Sequence, residues 1–300
     1  MTGNCTKSVG VPVLSQLSGY GQSFASFGEI VQGRLSGGDD FLVTLPVDLW
    51  SSCHLTCSPV SGQSVINTSF AKSKALTKQL LREFGLEHGV KLDLSFSRSI
   101  PIGKGLSSST ADMLAVVRAF QEAFSIMIPE EHISRLFSRI EPHDALHYPM
   151  STIYNHRQGK VLKELGYIPD FTIVAVDSGG ELSTVEYNKN LSYTPQLMHS
   201  YDQLYAELIT AFAKYDDVAI ARCAQRSTEL HAERTGNQFL LNLLKKSSAM
   251  DIAGILAAHS GTCAGLLLLG DVSGDTIRSL ILEVSELGHV FCTRSLPMPL

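Results

Sequence analysis

The sequence, 300 residues long, has no apolar run near the roughly 20 residues that span a bilayer. Its densest apolar runs, Phe171 to Val176 and Ala264 to Leu269, have the length of buried strands. It also lacks a basic surplus, with 24 Lys and Arg against 29 Asp and Glu and a net charge of −5. Coating nucleic acid needs positive charge to neutralise backbone phosphates, so that role is disfavoured and any bound anion must be gripped locally. Cysteine is sparse: Cys5, Cys53, Cys57, Cys223, Cys263 and Cys292 are scattered, unlike the dense framework of a secreted mini-protein, and reduced thiols are expected. Cys53 and Cys57 flank His54, but Cys53, Leu55 and Cys57 alternate as on one face of a strand. No second Cys/His pair lies at zinc-finger spacing, so these are read as buried strand residues. Met1 to Ser18 has one charge, Lys7, and no apolar block of signal-peptide length, which predicts a cytoplasmic chain with a loosely ordered leader.

What is present is enough for a sizeable core. Apolar residues make up 44% and charged residues 18%, the balance of a folded globule, and the length fits two domains. From Gly19 to about Val60, short apolar runs alternate with turns such as Gly37-Gly38-Asp39-Asp40, the grammar of hairpins. Helical spacing over Ser69 to Phe84 is followed by strand-like alternation over Lys91 to Phe96. Helices are predicted behind Ser109, over Pro129 to Ile140, around Tyr201 to Tyr215, over Val218 to His231 and over Phe239 to Lys246. Strands are predicted at Phe171 to Val176 and Leu266 to Leu269. The composition changes near residue 165, which divides the chain into 1–165 and 166–300.

The most informative stretch runs from Ser99 to Asp112 and opens directly onto a helix. Free N–H groups and the dipole of a helix N-terminus attract anions, and Gly103 and Gly105 allow close backbone approach. Ser107, Ser108 and Ser109 add hydroxyl donors and an oxygen ligand for Mg²⁺. The loop is therefore read as a polyphosphate cradle, with a simple capping serine as the plainer alternative. It matches neither the Walker A string nor the dinucleotide fingerprint. A serine hydrolase built on Ser109 and His143 is disfavoured, because the chain has no Gly-x-Ser-x-Gly elbow.

The string Pro101-x3-Gly105-Leu106-x-Ser108-Ser109-x-Ala111 resembles the central phosphate-binding motif of the GHMP kinases. Phe27-Gly28-Glu29-Ile30-Val31-Gln32-Gly33 resembles their N-terminal motif, and His259-Ser260-Gly261-Thr262-Cys263-Ala264-Gly265 their glycine-rich C-terminal motif. Within that family, Pro46-Val47-Asp48, Ser108-Ser109-Thr110-Ala111-Asp112, Glu141-Pro142-x-Asp144 and Ala258-His259-Ser260-Gly261 are similar to a bacterial subfamily of L-threonine kinases linked to propanediol utilisation and cobalamin synthesis.

The resemblance implies an α+β, two-domain architecture: a ribosomal protein S5 domain 2-like N-terminal domain followed by a ferredoxin-like C-terminal domain. It implies ATP and Mg²⁺ as cofactors and a hydroxy amino acid as acceptor, with no nucleic acid or membrane partner; a homodimer stays open. By the same resemblance, Pro101, Gly103, Lys104, Gly105, Leu106, Ser107, Ser108, Ser109 and Thr110 would bind the nucleotide, and Ser109 and Glu141 would hold the metal. Asp144 and Lys104 would be catalytic, and Glu29, Gln32, Asp48 and Gly261 would face the acceptor. Ser107 and Thr110 stand where the family usually has glycine and alanine, changes that look sterically modest.

Alternatives remain for single residues. Asp144 is either a base or a turn-forming acid, Lys104 either a phosphate partner or a solvated lysine, and Glu141 either a metal ligand or a helix-end carboxylate. His143 and His259 read more simply as hydrogen-bonded structural histidines than as acid–base groups. For an amino acid, Glu29 or Asp48 is the candidate partner of the ammonium, and a backbone nest or Arg34 that of the carboxylate. The expected activity is ATP-dependent phosphorylation of L-threonine. A kinase for homoserine or serine and a catalytically silent nucleotide-binding relative are the competing readings.

Overall fold

A computed structural model describes residues 16–179, 193–258 and 262–297. Two long strands, β1 (Leu17–Arg34) and β2 (Asp40–Gln63), form the hairpin expected from the alternating N-terminal sequence. Then follow β3 (Val65–Asn67), α1 (Ala71–Glu83) and β4 (His88–Arg98). Next come α2 (Ser108–Phe124), α3 (Glu130–Ser138) and a hairpin of β5 (Ser151–Asn155) and β6 (Lys160–Gly166). The second half contains β7 (Phe171–Asp177), α4 (Pro195–Ala213), α5 (Asp217–Thr235), α6 (Gln238–Ser247) and β8 (Gly254–Ala257). It ends with β9 (Cys263–Leu269), α7 (Gly274–Val284) and β10 (His289–Arg294).

One sheet runs through both halves in the order β10-β7-β9-β8-β1-β2-β4-β3. Its last four strands in sequence are antiparallel and, with α4–α6 inserted after β7 and α7 after β9, give a βαββαβ unit of order 4-1-3-2. That is the ferredoxin-like arrangement. The halves join where Glu29 of β1 pairs with Ala257 of β8. Register shifts flank Glu29 on both sides, and Gly28, at φ +59°, packs so close to Ala257 that a Cβ would overlap its carbonyl oxygen. Such bulges re-aim a side chain. Here they bury Glu29 at the seam.

Helix α2 sits directly on β1 because both surfaces are cut down to backbone. Gly19 and Gly21 face Ala115, Ala119 and Ala123, spaced four apart along the helix, and a Cβ at either glycine would collide with a helix carbonyl. Helix α2 is buried almost all round, touching the sheet on one side and α1 and α3 on the other. The sheet of the second half is buried on both faces. Ile173 and Leu267 join the main core with Phe24, Phe120 and Tyr201, while Val174, Leu266 and Leu268 pack with Leu240, Leu243 and Leu280. Each fully buried side chain of this size contributes roughly 1.5–3 kcal/mol.

Cys53, Leu55 and Cys57 are buried on one face of β2, with His54 exposed between them, so the strand reading holds over a metal pair. Helix α4 starts six residues before the expected Tyr201. Thr194 caps it, accepting from the N–H of Leu197 at 3.2 Å, and Pro195 fills a first-turn position. Elements β3, β5, β6, β8, α7 and β10 carry no signal that the sequence makes readable. Strand β6 is mostly exposed and lysine-rich, and β8 has only four residues, so neither carries a readable period.

Candidate active site

The loop from Pro101 to Ser107 crosses the N-terminus of α2, with Gly103 and Gly105 both at φ +72°. Ser107, the N-cap of α2, is itself left-handed at φ +56° and its side chain makes no cap hydrogen bond. The plain capping role is therefore wrong: the hydroxyl turns away from the helix, to the hydroxyl of Ser26 and the carboxylate of Asp144. A left-handed non-glycine residue costs roughly 1–2 kcal/mol, which these contacts offset.

The loop opens into a cavity of about 530 Å³, a size common for small-molecule sites. Gly103, Gly105, Leu106, Ser107, Ser108, Ser109 and Thr110 line it, whereas Pro101 and Lys104 do not. Opposite stand Glu141 and Asp144, on the segment where Pro142 has ended the helical run, together with Glu29 from β1. Ser109 Oγ donates to Glu141 Oε1 at 2.6 Å, and Lys72 Nζ of α1 donates to Glu141 Oε2 at 2.5 Å. The carboxylate of Glu141 thus has partners that a merely solvated helix-end acid would lack. A hydroxyl and a carboxylate this close suit Mg²⁺, whose remaining coordination positions phosphate oxygens and water can fill.

Glu29 and Asp144 form the other end. Glu29 is 2% exposed, and burial, followed by the negative charge and hydrogen bond of Asp144, holds its pKa well above the carboxylate range. Burial also raises Asp144, while hydrogen bonds from Ser107, Glu29 and Thr110 pull it back. Both carboxyls are thus raised, Glu29 the further, so Glu29 is the member of the pair that keeps a proton to higher pH. Ser107 and Thr110, which looked like modest size changes, are the two hydroxyls that act on Asp144.

The histidines near this end are structural. His143 is buried, which lowers its pKa, with Nδ1 3.1 Å from the Asp144 carbonyl oxygen and Nε2 3.2 Å from Ser138 Oγ and Tyr154 OH. None of these partners is Ser109, the contact that a hydrolase built on the two residues would require. Burial pushes His156, in the cavity wall, down to about 3.

Several expected positions lie elsewhere. Lys104 is neither solvated nor in the cavity wall. It pairs with Asp177 Oδ2 at 3.0 Å, and Thr262 Oγ1 donates to Asp177 Oδ1 at 3.0 Å, tying the phosphate loop to the end of β7. Burial opposes ionisation of Asp177, but the Gly179 N–H, Lys104 and Thr262 together hold its pKa below the usual value. Asp48 is exposed and accepts from Trp50 Nε1 at 2.6 Å, away from the cavity. Gln32 is buried outside the lining, its N–H donating to Ser227 of α5 at 3.1 Å. Arg34 is spent on Asp40 at 2.9 Å. Gly261, with His259 and Ser260, lies outside the described residues.

Sequence reasoning missed three charged residues of the wall. Lys72 read as an ordinary lysine on the polar side of a helix. Arg98 stacks on Phe70 at 4.2 Å and pairs with Asp112 at 3.4 Å, while Ser51 donates to Asp112 at 2.7 Å. The one available signal was the position of Arg98 and Asp112 at the two ends of the phosphate-loop segment.

Comparison with known proteins fits this geometry. A family model described as the GHMP kinases N terminal domain matches residues 71–149. An L-threonine kinase of Citrobacter freundii is 27% identical over 256 residues, covering 81% of this chain and 84% of that protein. An L-threonine kinase of Salmonella typhimurium is 26% identical over 252 residues, 81% of either chain. Among solved structures, the homoserine kinase from Cytophaga hutchinsonii superposes with a TM-score of 0.72 at 14% identity, over 97% of this chain and 98% of that one. At that identity the likeness establishes the fold.

Proposed function

We propose that this chain, which carries a GHMP kinase N-terminal domain at residues 71–149 within a homoserine-kinase-like fold, phosphorylates the side-chain hydroxyl of L-threonine from ATP. Its class is ATP-dependent phosphotransfer to an alcohol. The observation that carries the reading is one cavity holding the phosphate loop, the Ser109–Glu141 pair and the Asp144 carboxylate. The product would be O-phospho-L-threonine, a compound for cobalamin synthesis. Use of ATP and free, buried Cys53, Cys57, Cys223 and Cys263 fit a cytoplasmic enzyme. We place the boundary between its two domains at about residue 165, at the end of β6.

The backbone of Gly103 to Ser109 would grip the phosphates at the N-terminus of α2. Ser109 and Glu141 would hold Mg²⁺, which neutralises charge on the phosphate oxygens. Asp144 orients the acceptor hydroxyl and takes its proton as the oxygen bonds to the γ-phosphorus; the bond to the β,γ-bridging oxygen breaks and ADP leaves. The protonated Glu29 keeps Asp144 as the ionised member of the pair. The acidic character of this end suits an acceptor that brings an ammonium group.

ADP release in the presence of L-threonine, L-homoserine, L-serine and a sugar tests the proposal. Release with threonine above all others is expected. Release with homoserine alone, the second reading favoured by the fold match, would keep the phosphotransferase and discard the acceptor. Tight nucleotide binding with no release for any hydroxy amino acid would identify a silent relative.

A further inference from the structure

The cavity wall contains a cation that the reaction above leaves without a task. Lys72, in the first turn of α1, holds Glu141 Oε2 at 2.5 Å while Ser109 holds Oε1 of the same carboxylate at 2.6 Å. Resting on the kinase reading, we propose that Lys72 is a phosphate-binding residue that gives up Glu141 for a phosphate oxygen when a Mg²⁺-nucleotide binds.

The argument is one of charge and freedom to move. A metal on Ser109 and Glu141 takes over the negative charge that holds Lys72 and sets two positive charges beside its ammonium. The negative charge arriving with that metal is the phosphate chain, and the ammonium follows it. Lys72 is free to do so, since its side chain is 51% exposed on a flexible stem. Arg98, the other Lys or Arg among the described residues lining the cavity, is fixed between Asp112 and the ring of Phe70. Lys104 is engaged with Asp177. Ala71, Lys72 and Ser73 all line the cavity, so the first turn of α1 faces the same space as the first turn of α2.

Calorimetric binding of ATP, with and without Mg²⁺, to Lys72→Met and Lys72→Arg tests the proposal. Lys72→Met should weaken Mg²⁺-ATP binding by about tenfold or more, as expected for a lost charge-assisted hydrogen bond. Metal-free ATP should be affected much less, because Glu141 then still competes for the lysine. Lys72→Arg should recover most of the affinity. Equal losses with and without metal, or wild-type binding of Mg²⁺-ATP by Lys72→Met, would overturn the assignment. Since binding is read directly, a wild-type protein that binds Mg²⁺-ATP but phosphorylates no amino acid would sink the proposed acceptor and leave Lys72 in place.

Discussion

Glu29 and Asp144 set two carboxyl groups against each other in the cavity wall, and burial raises both pKa values, that of Glu29 well above the carboxylate range. Two ionised carboxylates cannot lie in contact away from water, so one proton stays between them. Burial decides which group keeps it: both carboxyls line the cavity, but Glu29, at the seam of the two halves, is buried while Asp144 is half-buried.

This pair makes stability depend on pH. A carboxyl whose pKa in the folded protein lies above its unfolded value contributes stability below the unfolded value and loses it as pH rises through the folded one. For Glu29 the loss begins above its ordinary value of 4.5. Glu29→Gln keeps a donor to Asp144 without the titrating proton. Its Tm relative to wild type should therefore climb as pH is raised from 5 to 9. A constant difference across that range would contradict the proton assignment.

Asp144→Asn should lower kcat by about 10²- to 10⁴-fold, the usual contribution of a positioned base, while nucleotide affinity stays near wild type. Unchanged turnover would remove Asp144 from the chemistry.

The hydroxyls of Ser107 and Thr110 both hold the pKa of Asp144 down. With Ser107→Gly or Thr110→Ala that pKa should rise, moving the acid limb of the pH–kcat profile to higher pH. Rates at alkaline pH should change little. Ser107→Gly should not lower Tm appreciably, since glycine relieves a left-handed residue at φ +56°. An acid limb that stays put in both variants would show that these hydroxyls do not control Asp144.

Removing the hydroxyl that faces Glu141 should weaken the metal site. Ser109→Ala should raise the Mg²⁺ concentration needed for half-maximal nucleotide binding by about tenfold, the loss of one strong oxygen contact. Calorimetry across a Mg²⁺ series reads this, and an unshifted midpoint would exclude Ser109 as a ligand.

The position of the Pro101–Ser107 loop depends on how closely α2 lies on β1. Gly21→Ala places a methyl against the Ala115 carbonyl and should cost about 1–3 kcal/mol or more, read as a fall in Tm. Gly37→Ala, where a methyl would meet nothing within 4 Å, is the matched control. Equal melting of the two variants would contradict the packing.

By itself the sequence determined what short-range chemistry can encode. Gly103, Gly105 and three serines ahead of an apolar helical period read as an anion cradle, alternation marks β1, β2 and β4, and a short apolar run marks β7, because each signal is local. Tertiary structure decided which charges meet. Lys72 and Glu141 are 69 residues apart, Lys104 and Asp177 73 apart, and Glu29 reaches Asp144 only because β1 is bulged at the seam. It also set Asp48 outside the cavity lining, on an exposed part of β2 where its carboxylate accepts from Trp50. A side chain's charge is written in the sequence, but its desolvation and its partner exist only after the chain has closed around it.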